Sequence, residues 1–230
     1  MRNLSSFPVV PGLPDLAIRN LFCIGRNFAE HAQELGNTVP SEPVVFLKPS
    51  SAVMISGGDI VLPVRSERVD HEVELVVAIG ADASRVSEAQ ALSCVAGIGV
   101  GIDITARDLQ EQAKKKALPW AVAKGFDTFA VLGDFVPFQR GFSDWESLLL
   151  ALSVNGEARQ SGRVGDMLFS VPQLISWLSQ VYHLKAGDLI YTGTPPGVAP
   201  LRAGDRVVAE LASGDGAVLS RAEVGVRMSD

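Results

Sequence analysis

The run from residue 72 to residue 80 is the clearest strand pattern in the chain, and it constrains the fold more than any other segment. Two of its residues, Glu72 and Glu74, stand two positions apart, so a strand directs both carboxylates to the same face. The neighbouring positions are apolar, and an unpaired carboxylate is costly to desolvate. This face therefore needs a proton, a basic partner or a divalent cation, unless the strand is a solvated sheet edge.

A third carboxylate favours the cation over the solvated edge. Asp103 ends a second apolar run, residues 97–102, and we predict the next strand over residues 98–104. This places another acid at the end of an apolar strand, where it too would be costly to bury without a positive partner. We therefore interpret Glu72, Glu74 and Asp103 as a metal site.

Composition and charge limit the classes of function that the chain can have. With 230 residues, 47% of them hydrophobic and 20% charged, the sequence is typical of a globular protein. The net charge of −6 argues against nucleic-acid binding, which needs a basic face. The one basic cluster, residues 114–116, is better explained by a solvated helix face than by a binding surface.

No membrane segment or secretion signal is predicted. The N-terminus has no apolar core before its prolines, and the longest apolar run, residues 95–102, falls far short of the roughly 20 residues that a spanning helix needs. Both cysteines, Cys23 and Cys94, lie in apolar stretches and are interpreted as small core residues. These features favour a cytoplasmic protein.

Many short strands and a few helices predict a strand-dominated α+β fold. A parallel doubly wound sheet would require a regular alternation of strand and helix, which the chain lacks. Asn155 and Gly156 predict a hairpin with a type I′ turn. Strands are predicted over residues 21–25, 44–47, 60–62, 72–80, 98–104, 148–155, 188–192, 206–211 and 217–226, and helices over residues 26–35, 87–94, 106–116 and 171–181. We expect an N-terminal arm, residues 1–19, and a single domain over residues 20–230.

Two glycine-rich segments are not interpreted as nucleotide sites. Gly97, Gly99 and Gly101 lack the spacing of the dinucleotide fingerprint and lie in a strand pattern, where they more simply permit close packing. The segment 193–197 lacks the lysine of a phosphate loop.

One histidine and one glutamate form a candidate acid–base pair. His31 and Glu34 stand three residues apart on a predicted helix, so their side chains can share a face. A carboxylate beside an imidazole fixes its tautomer and raises its basicity, as a general base requires. The other histidines, His71 and His183, are not expected to be catalytic.

Seven blocks in order resemble the fumarylacetoacetate hydrolase family, most closely its small single-domain acylpyruvases and fumarylpyruvate hydrolases. The resemblance covers roughly residues 20–226 and implies the family's mixed β-sandwich roll with a few peripheral helices. Its blocks are residues 23–31, 46–49, 71–75, 101–110, 115–120, 123–127 and 192–195.

The resemblance implies a role for each matching residue. Glu72, Glu74 and Asp103 match the family's divalent-metal ligands, and an all-oxygen set suits Mg²⁺ or Mn²⁺, one ion per subunit. His31, Glu34 and Lys124 match catalytic residues, the first two as a water-activating pair. Matches to substrate-binding residues are Arg26, Lys48, Arg107, Gln110 and Thr194, although Arg26, Asn27 and Lys48 could instead maintain loop structure.

The resemblance also implies the chemistry and the assembly. The expected reaction is hydrolysis of the C–C bond of a 2,4-diketo acid, such as fumarylpyruvate or acetylpyruvate, to pyruvate and a carboxylic acid through a stabilised enolate. The alternatives are an oxaloacetate decarboxylase, an isomerase or decarboxylase of 2-hydroxyhepta-2,4-diene-1,7-dioate in aromatic catabolism, or a non-catalytic metal-binding module. We expect a homodimer, and we expect its ligand to be a small keto-acid substrate.

Overall fold

Strands dominate the computed structural model, which describes residues 8–30, 39–138 and 145–229. The strand-dominated α+β class predicted from the sequence is confirmed. The strands are Val9–Val10 (β1), Leu13–Ala17 (β2), Leu21–Gly25 (β3), Val44–Lys48 (β4), Val53–Ile55 (β5), Asp59–Leu62 (β6), Val69–His71 (β7), Val73–Ile79 (β8), Val95–Asp103 (β9), Thr105–Ala106 (β10), Ala130–Pro137 (β11), Leu149–Val154 (β12), Glu157–Arg163 (β13), Leu189–Tyr191 (β14), Ala199–Pro200 (β15), Arg206–Ala212 (β16) and Val218–Met228 (β17).

The α-helices are short and lie between strands. They are Glu88–Ala91 (α1), Arg107–Lys115 (α2), Ala121–Lys124 (α3) and Val171–Val181 (α4), and 3₁₀ turns cover Ser50–Ala52, Leu92–Cys94, Trp145–Ser147 and Val164–Asp166. The bounds of α4 agree with the prediction, because Ser170 precedes it and its backbone N–H donates to Gln173 Oε1 (2.9 Å) as in a capping box. Among the described residues, no helix is both long and apolar enough to cross a membrane.

Two large sheets enclose the main core. Strand order is β4-β3-β14-β8-β9-β11-β5 in the seven-stranded sheet and β13-β12-β16-β17-β6 in the five-stranded sheet. Alternate side chains of β8, including Val77, pack in one cluster with Leu150 of β12 and Val207 of β16. The two sheets therefore face each other across this cluster, as in a sandwich.

The other face of the seven-stranded sheet carries the second core cluster. It contains Val76 of β8, Cys23 of β3 and Tyr191 of β14, together with Val10 from the N-terminal hairpin. Strand β8 is thus buried on both faces, and it pairs with β14 on one side and β9 on the other. The alternative of a solvated edge strand for this segment is therefore excluded.

The glycines of β9 serve close packing, as predicted. A Cβ atom on Gly101 would lie 2.6 Å from Val76 Cγ2 and 2.7 Å from Tyr191 Cε1, far inside contact distance. The side chains of the adjacent strands therefore occupy the space above this glycine. No dinucleotide-binding loop is needed to account for it.

The predictions for one hairpin turn and one helix have different outcomes. Asn155 and Gly156 have φ angles of 54° and 83°, which confirms the hairpin turn between β12 and β13. The helix predicted over residues 26–35 does not begin at Arg26, whose φ is 60°, and Phe28 pairs in an isolated bridge with Met167. Helical conformation begins at Ala29 and includes Glu30, the last described residue before the gap. Residues 31–35 lie outside the described part of the chain. The division into residues 1–19 and 20–230 stays a prediction.

Candidate active site

Three acidic side chains meet at one end of β8 and β9. Glu72 lies between β7 and β8, Glu74 is the second residue of β8, and Asp103 ends β9. One carboxylate oxygen from each lies within 4.8 Å of the other two, and all three side chains are buried. The predicted set is therefore together in space, and its all-oxygen chemistry and buried position fit a hard divalent cation such as Mg²⁺ or Mn²⁺.

Glu74 has the weakest compensation of its charge. Within the described residues, the hydrogen-bond donor to its carboxylate is the backbone N–H of Gly193, 2.7 Å from Oε2. Burial raises the pKa of Glu74 well above its usual range, and the charges of Asp103 and Glu72 raise it further. A divalent cation at this position would supply the positive charge that the side chain lacks.

Lys124 lies against the other two acids. Its Nζ, at the end of the short helix α3, donates to Glu72 Oε2 and to Asp103 Oδ2, both at 2.7 Å. Burial opposes the charge of this ammonium group, but Asp103 and Glu72 more than offset it and raise the pKa of Lys124. The site therefore holds a fixed cation beside the acidic cluster.

Lys48 contacts the acidic cluster but does not line the pocket. Its Nζ donates to the carbonyl oxygens of Ile104 (2.9 Å), Lys124 (2.6 Å) and Phe129 (2.7 Å), and it lies 2.6 Å from Asp103 Oδ1. Each N–H of the ammonium thus has an acceptor within the protein. Lys48 was predicted to bind substrate, and this arrangement favours a role in fixing Asp103 instead.

Arg107 connects the acidic cluster to helix α2. It donates to Glu72 Oε1 through Nη2, to Asp70 Oδ2 through Nε (2.8 Å) and to Gln110 Oε1 through Nη1 (2.8 Å). Burial alone would lower the pKa of this guanidinium, but Glu72 and Asp70 raise it overall. Arg107 therefore stays charged, and the orientation of Gln110 is fixed by it.

These groups open onto one pocket. Every predicted site residue in the described part of the chain except Lys48 lines it. The lining residues are Ile24, Gly25, Arg26, Phe46, Glu72, Glu74, Asp103, Arg107, Gln110, Lys114, Trp120, Lys124 and Thr194. His31 and Glu34 lie outside the described residues, so their proposed pairing stays a prediction. The neighbouring Asn27 bonds to Phe169 and Thr192 and maintains loop structure.

Gln160 is a buried polar residue that the sequence did not single out. Its Oε1 accepts from the Val73 N–H (3.1 Å) and lies 2.9 Å from His71 Nδ1. Its Nε2 donates to Thr194 Oγ1 and to the Pro195 carbonyl, both at 2.8 Å. With Oε1 facing it, His71 carries its proton on Nδ1. Burial lowers the pKa of His71.

Lys114 was also missed, because residues 114–116 were interpreted as a solvated face. Lys115 and Lys116 are exposed, as expected, but Lys114 is partly buried and lines the pocket. Only the helical phase could have shown this difference. Positions 107, 110 and 114 fall on one face of α2, whereas 115 and 116 do not.

Comparisons with known proteins give a consistent result. The family described as Fumarylacetoacetate (FAA) hydrolase C-terminal matches residues 20–224. A mitochondrial oxaloacetate tautomerase from Mus musculus is 44% identical over 206 residues, which cover 90% of this chain and 91% of the relative. Its counterpart from Arabidopsis thaliana is 47% identical over 191 residues, covering 83% and 85%.

Solved structures with the same fold include two enzymes. Fumarylpyruvate hydrolase from Pseudomonas aeruginosa, in complex with Mn²⁺ and pyruvate, is 31% identical with a TM-score of 0.87 and covers 100% of both chains. A 5-carboxymethyl-2-hydroxymuconate delta-isomerase from Mycobacterium smegmatis is 32% identical with a TM-score of 0.81, covering 96% of this chain and 83% of that one.

Proposed function

The chain belongs to the fumarylacetoacetate hydrolase family, and on that premise we propose that it is a divalent-metal-dependent enzyme that enolises short 2-oxo acids at C3. The leading reaction is the keto–enol tautomerisation of oxaloacetate, the activity named for relatives that are 44% and 47% identical. The observation that carries the proposal is the convergence of three buried carboxylates with Lys124 and Arg107 in one pocket.

The ligands of the metal would be Glu72, Glu74 and Asp103. A bound Mg²⁺ or Mn²⁺ would supply Lewis-acid stabilisation of negative charge on the oxygens of the substrate. The chain's own contribution begins with this acidic set, because its burial excludes water and strengthens every charge interaction in the pocket.

Two fixed cations complete the site. Lys124 and Arg107 are held by hydrogen bonds to the acidic residues and line the pocket, so they lie beside a bound anion without rearrangement. In the tautomerisation C3 loses one proton and the C2 oxygen gains one, so the composition does not change. Between these two transfers negative charge lies on the C2 oxygen, and preorganised cations stabilise it there. Gln110 and Thr194 line the same pocket and can orient the carboxylate of the substrate.

The tautomerisation can be tested directly. We expect the purified protein with Mg²⁺ or Mn²⁺ to accelerate the equilibration of enol and keto oxaloacetate, followed by the ultraviolet absorbance of the enol. Metal in buffer alone gives the background rate, and with EDTA the protein should not exceed the rate of buffer with EDTA. Lys124→Met should lose at least a hundredfold in kcat, as when one preorganised donor is removed. No acceleration with either metal would refute the proposal.

Acylpyruvate hydrolysis is the second candidate, and the reaction expected from the sequence. It is supported by the His31 and Glu34 motif and by the similarity to fumarylpyruvate hydrolase. In this reaction His31, oriented by Glu34, would take a proton from the water that attacks C4, and the C3–C4 bond would break to give a carboxylic acid and the pyruvate enolate.

Pyruvate release from acetylpyruvate and fumarylpyruvate separates the two candidates. His31→Ala should abolish this release while largely sparing oxaloacetate decarboxylation and tautomerisation, which need no attacking water. Undiminished hydrolysis by the variant would exclude His31 and Glu34 as the pair that activates water. A protein that equilibrates oxaloacetate but releases no pyruvate is a tautomerase alone.

A further inference from the structure

We propose that Lys114 and Arg26 form an anion subsite in the pocket and that it binds the distal carboxylate of a dicarboxylic substrate. The proposal deepens the proposed function and rests on it, since it concerns the same pocket. It names the substrate class: 2-oxo acids with a second carboxylate are preferred over those without one.

Helix geometry brings Lys114 to the pocket. Arg107, Gln110 and Lys114 occupy positions i, i+3 and i+7 of α2, which share one helix face. All three line the pocket, and burial decreases from Arg107 and Gln110 to Lys114. The Nζ of Lys114 lies 5.5 Å from the ring centroid of Trp120, another lining residue, which holds the ammonium against the pocket wall.

Lys114 and Arg26 differ from the other cations of the pocket in what they face. Lys124 and Arg107 each contact carboxylates of the acidic cluster. Within residues 8–30, 39–138 and 145–229, neither Lys114 nor Arg26 has a carboxylate partner. Burial lowers the pKa of Lys114, and repulsion by Arg107 and Arg26 lowers it further. Like charges that converge in this way are stabilised when an anion binds between them.

Arg26 carries a second and independent sign of a missing acceptor. Its Nε is buried, and in the described part of the chain it has no hydrogen-bond partner. Its backbone also has a φ of 60°, a left-handed conformation that is uncommon for residues other than glycine. A buried donor without an acceptor is costly, and a ligand carboxylate would satisfy it.

The pocket therefore holds two sets of charged groups, which suit different parts of one ligand. The acidic cluster with its cation would take the 2-oxo acid end, while Lys114 and Arg26 remain for a further carboxylate. A monocarboxylic substrate would leave these two cations unpaired. The expected discrimination is tenfold or more in kcat/KM.

The matched substrates are oxaloacetate and its 4-methyl ester, in which one methyl group removes the charge of the distal carboxylate. With wild-type protein and Mn²⁺, tautomerisation of oxaloacetate should exceed that of the ester at least tenfold in kcat/KM. Lys114→Met should remove most of this preference by raising KM for oxaloacetate. Lys115→Met, one residue further along the same helix and exposed, should behave like the wild type with both substrates.

A binding measurement keeps this proposal separate from the proposed function. Calorimetric titration of the Mn²⁺-loaded protein with 2-oxoglutarate and 2-oxobutanoate requires no turnover. Tighter binding of the dicarboxylate, lost in Lys114→Met, supports the subsite even if neither oxaloacetate nor its ester reacts, a result that would refute the reaction alone. Equal affinities in the wild type, or a preference that survives in Lys114→Met, would overturn the subsite even if the enzyme is active.

Discussion

Glu74 differs from Glu72 and Asp103 in the partners that its carboxylate has. Lysine or arginine groups contact the latter two, whereas in the described part of the chain the partner of Glu74 is a backbone N–H. Strand geometry predicted that Glu72 and Glu74 share a face, and Asp103 at the end of a second apolar run favoured a metal site, but the pairing of the two strands does not follow from the spacing. Their different partners come from α3 and from residues 192–194, which the local pattern does not specify.

Gln160 allows a sharp test at the scale of one residue. Gln160→Leu should lower the free energy of unfolding by about 2–4 kcal/mol, because it leaves buried groups of His71, Val73, Thr194 and Pro195 without their partner. Urea denaturation measures the change. Gln112→Leu, at an exposed position of α2, is the control and should change stability little. Equal stability of the Gln160 variant and the wild type would contradict the network.

Gln160 could not have been predicted from the sequence. It lies in a polar stretch of β13, and its partners are 34 to 89 residues away in the chain. Lys114 lies in a run of three lysines that local composition treats alike. The contacts of Gln160 depend on the packing of distant elements, which periodicity does not contain, whereas the helical phase alone separates Lys114 from its two neighbours.

At the scale of elements, the helices and strands with a clear local sequence pattern were predicted correctly. Helix α4 has a capping serine and a regular apolar stripe, and the last two strands alternate cleanly. Strand β11 was missed, because Gly133 and Asp134 interrupt its apolar pattern where its pairing with β9 shifts register. The pair β1 and β2 was missed too, since neither strand has a continuous apolar pattern.

The turn between β12 and β13 allows the energetic cost of backbone conformation to be measured without any change in side-chain contacts. A Cβ on Gly156 would meet no atom within 4 Å, so Gly156→Ala would be penalised only by its φ of 83°. We expect a loss of about 1 kcal/mol in unfolding free energy, measured by thermal or urea denaturation. Gly156→Asn should keep most of the stability, because asparagine tolerates this conformation. Equal losses for both variants would rule out this explanation.

The start of α2 predicts a pH dependence. Asp108 accepts from Ser66 Oγ (2.6 Å) and from the Glu67 N–H (3.0 Å). Partial burial opposes its charge, but these bonds lower the pKa of Asp108 overall. A carboxylate whose pKa is lowered by folding stabilises the protein above its unfolded pKa of roughly 3.9, and this contribution disappears as the pH falls through the folded pKa.

Asp108→Asn should therefore be less stable than the wild type at pH 7, by about 1 kcal/mol. The difference should shrink as the pH falls below the unfolded pKa of roughly 3.9 and the wild-type carboxyl is protonated in turn. Urea midpoints at pH 7 and along a descending pH series measure it. Glu111→Gln, on the exposed face of the same helix, is the control and should show no comparable trend. A difference that stays constant with pH would be inconsistent with this role.

For the whole molecule, metal binding and folding should be coupled. Mg²⁺ or Mn²⁺ that binds only the folded protein stabilises it by about 2.7 kcal/mol at a hundred times its Kd, so the melting temperature should rise by several degrees and fall again with EDTA. Glu74→Gln should lose this rise, yet be at least as stable as the wild type in EDTA, because a buried and poorly compensated carboxylate is removed. A metal-dependent rise that persists in the variant would exclude Glu74 as a ligand.

Assembly and location stay predictions. The family resemblance implies a homodimer, which light scattering on the purified protein would test. A cytoplasmic location was inferred from composition and cysteine usage, and the relatives named above are mitochondrial proteins. Fractionation of the producing cells would distinguish a cytoplasmic from a mitochondrial location.

The three carbonyl contacts of Lys48 tie together segments that are distant in the sequence. Ile104, Lys124 and Phe129 each contribute one acceptor, so the buried ammonium is fully satisfied only when β4 and all three segments are in place. When any one of these segments opens, the ammonium group is exposed to water or left without one of its acceptors. The contacts with the remaining segments are then destabilised as well. In native-state hydrogen exchange, the amide protons around Lys48 should therefore become exchangeable together, as one cooperative unit.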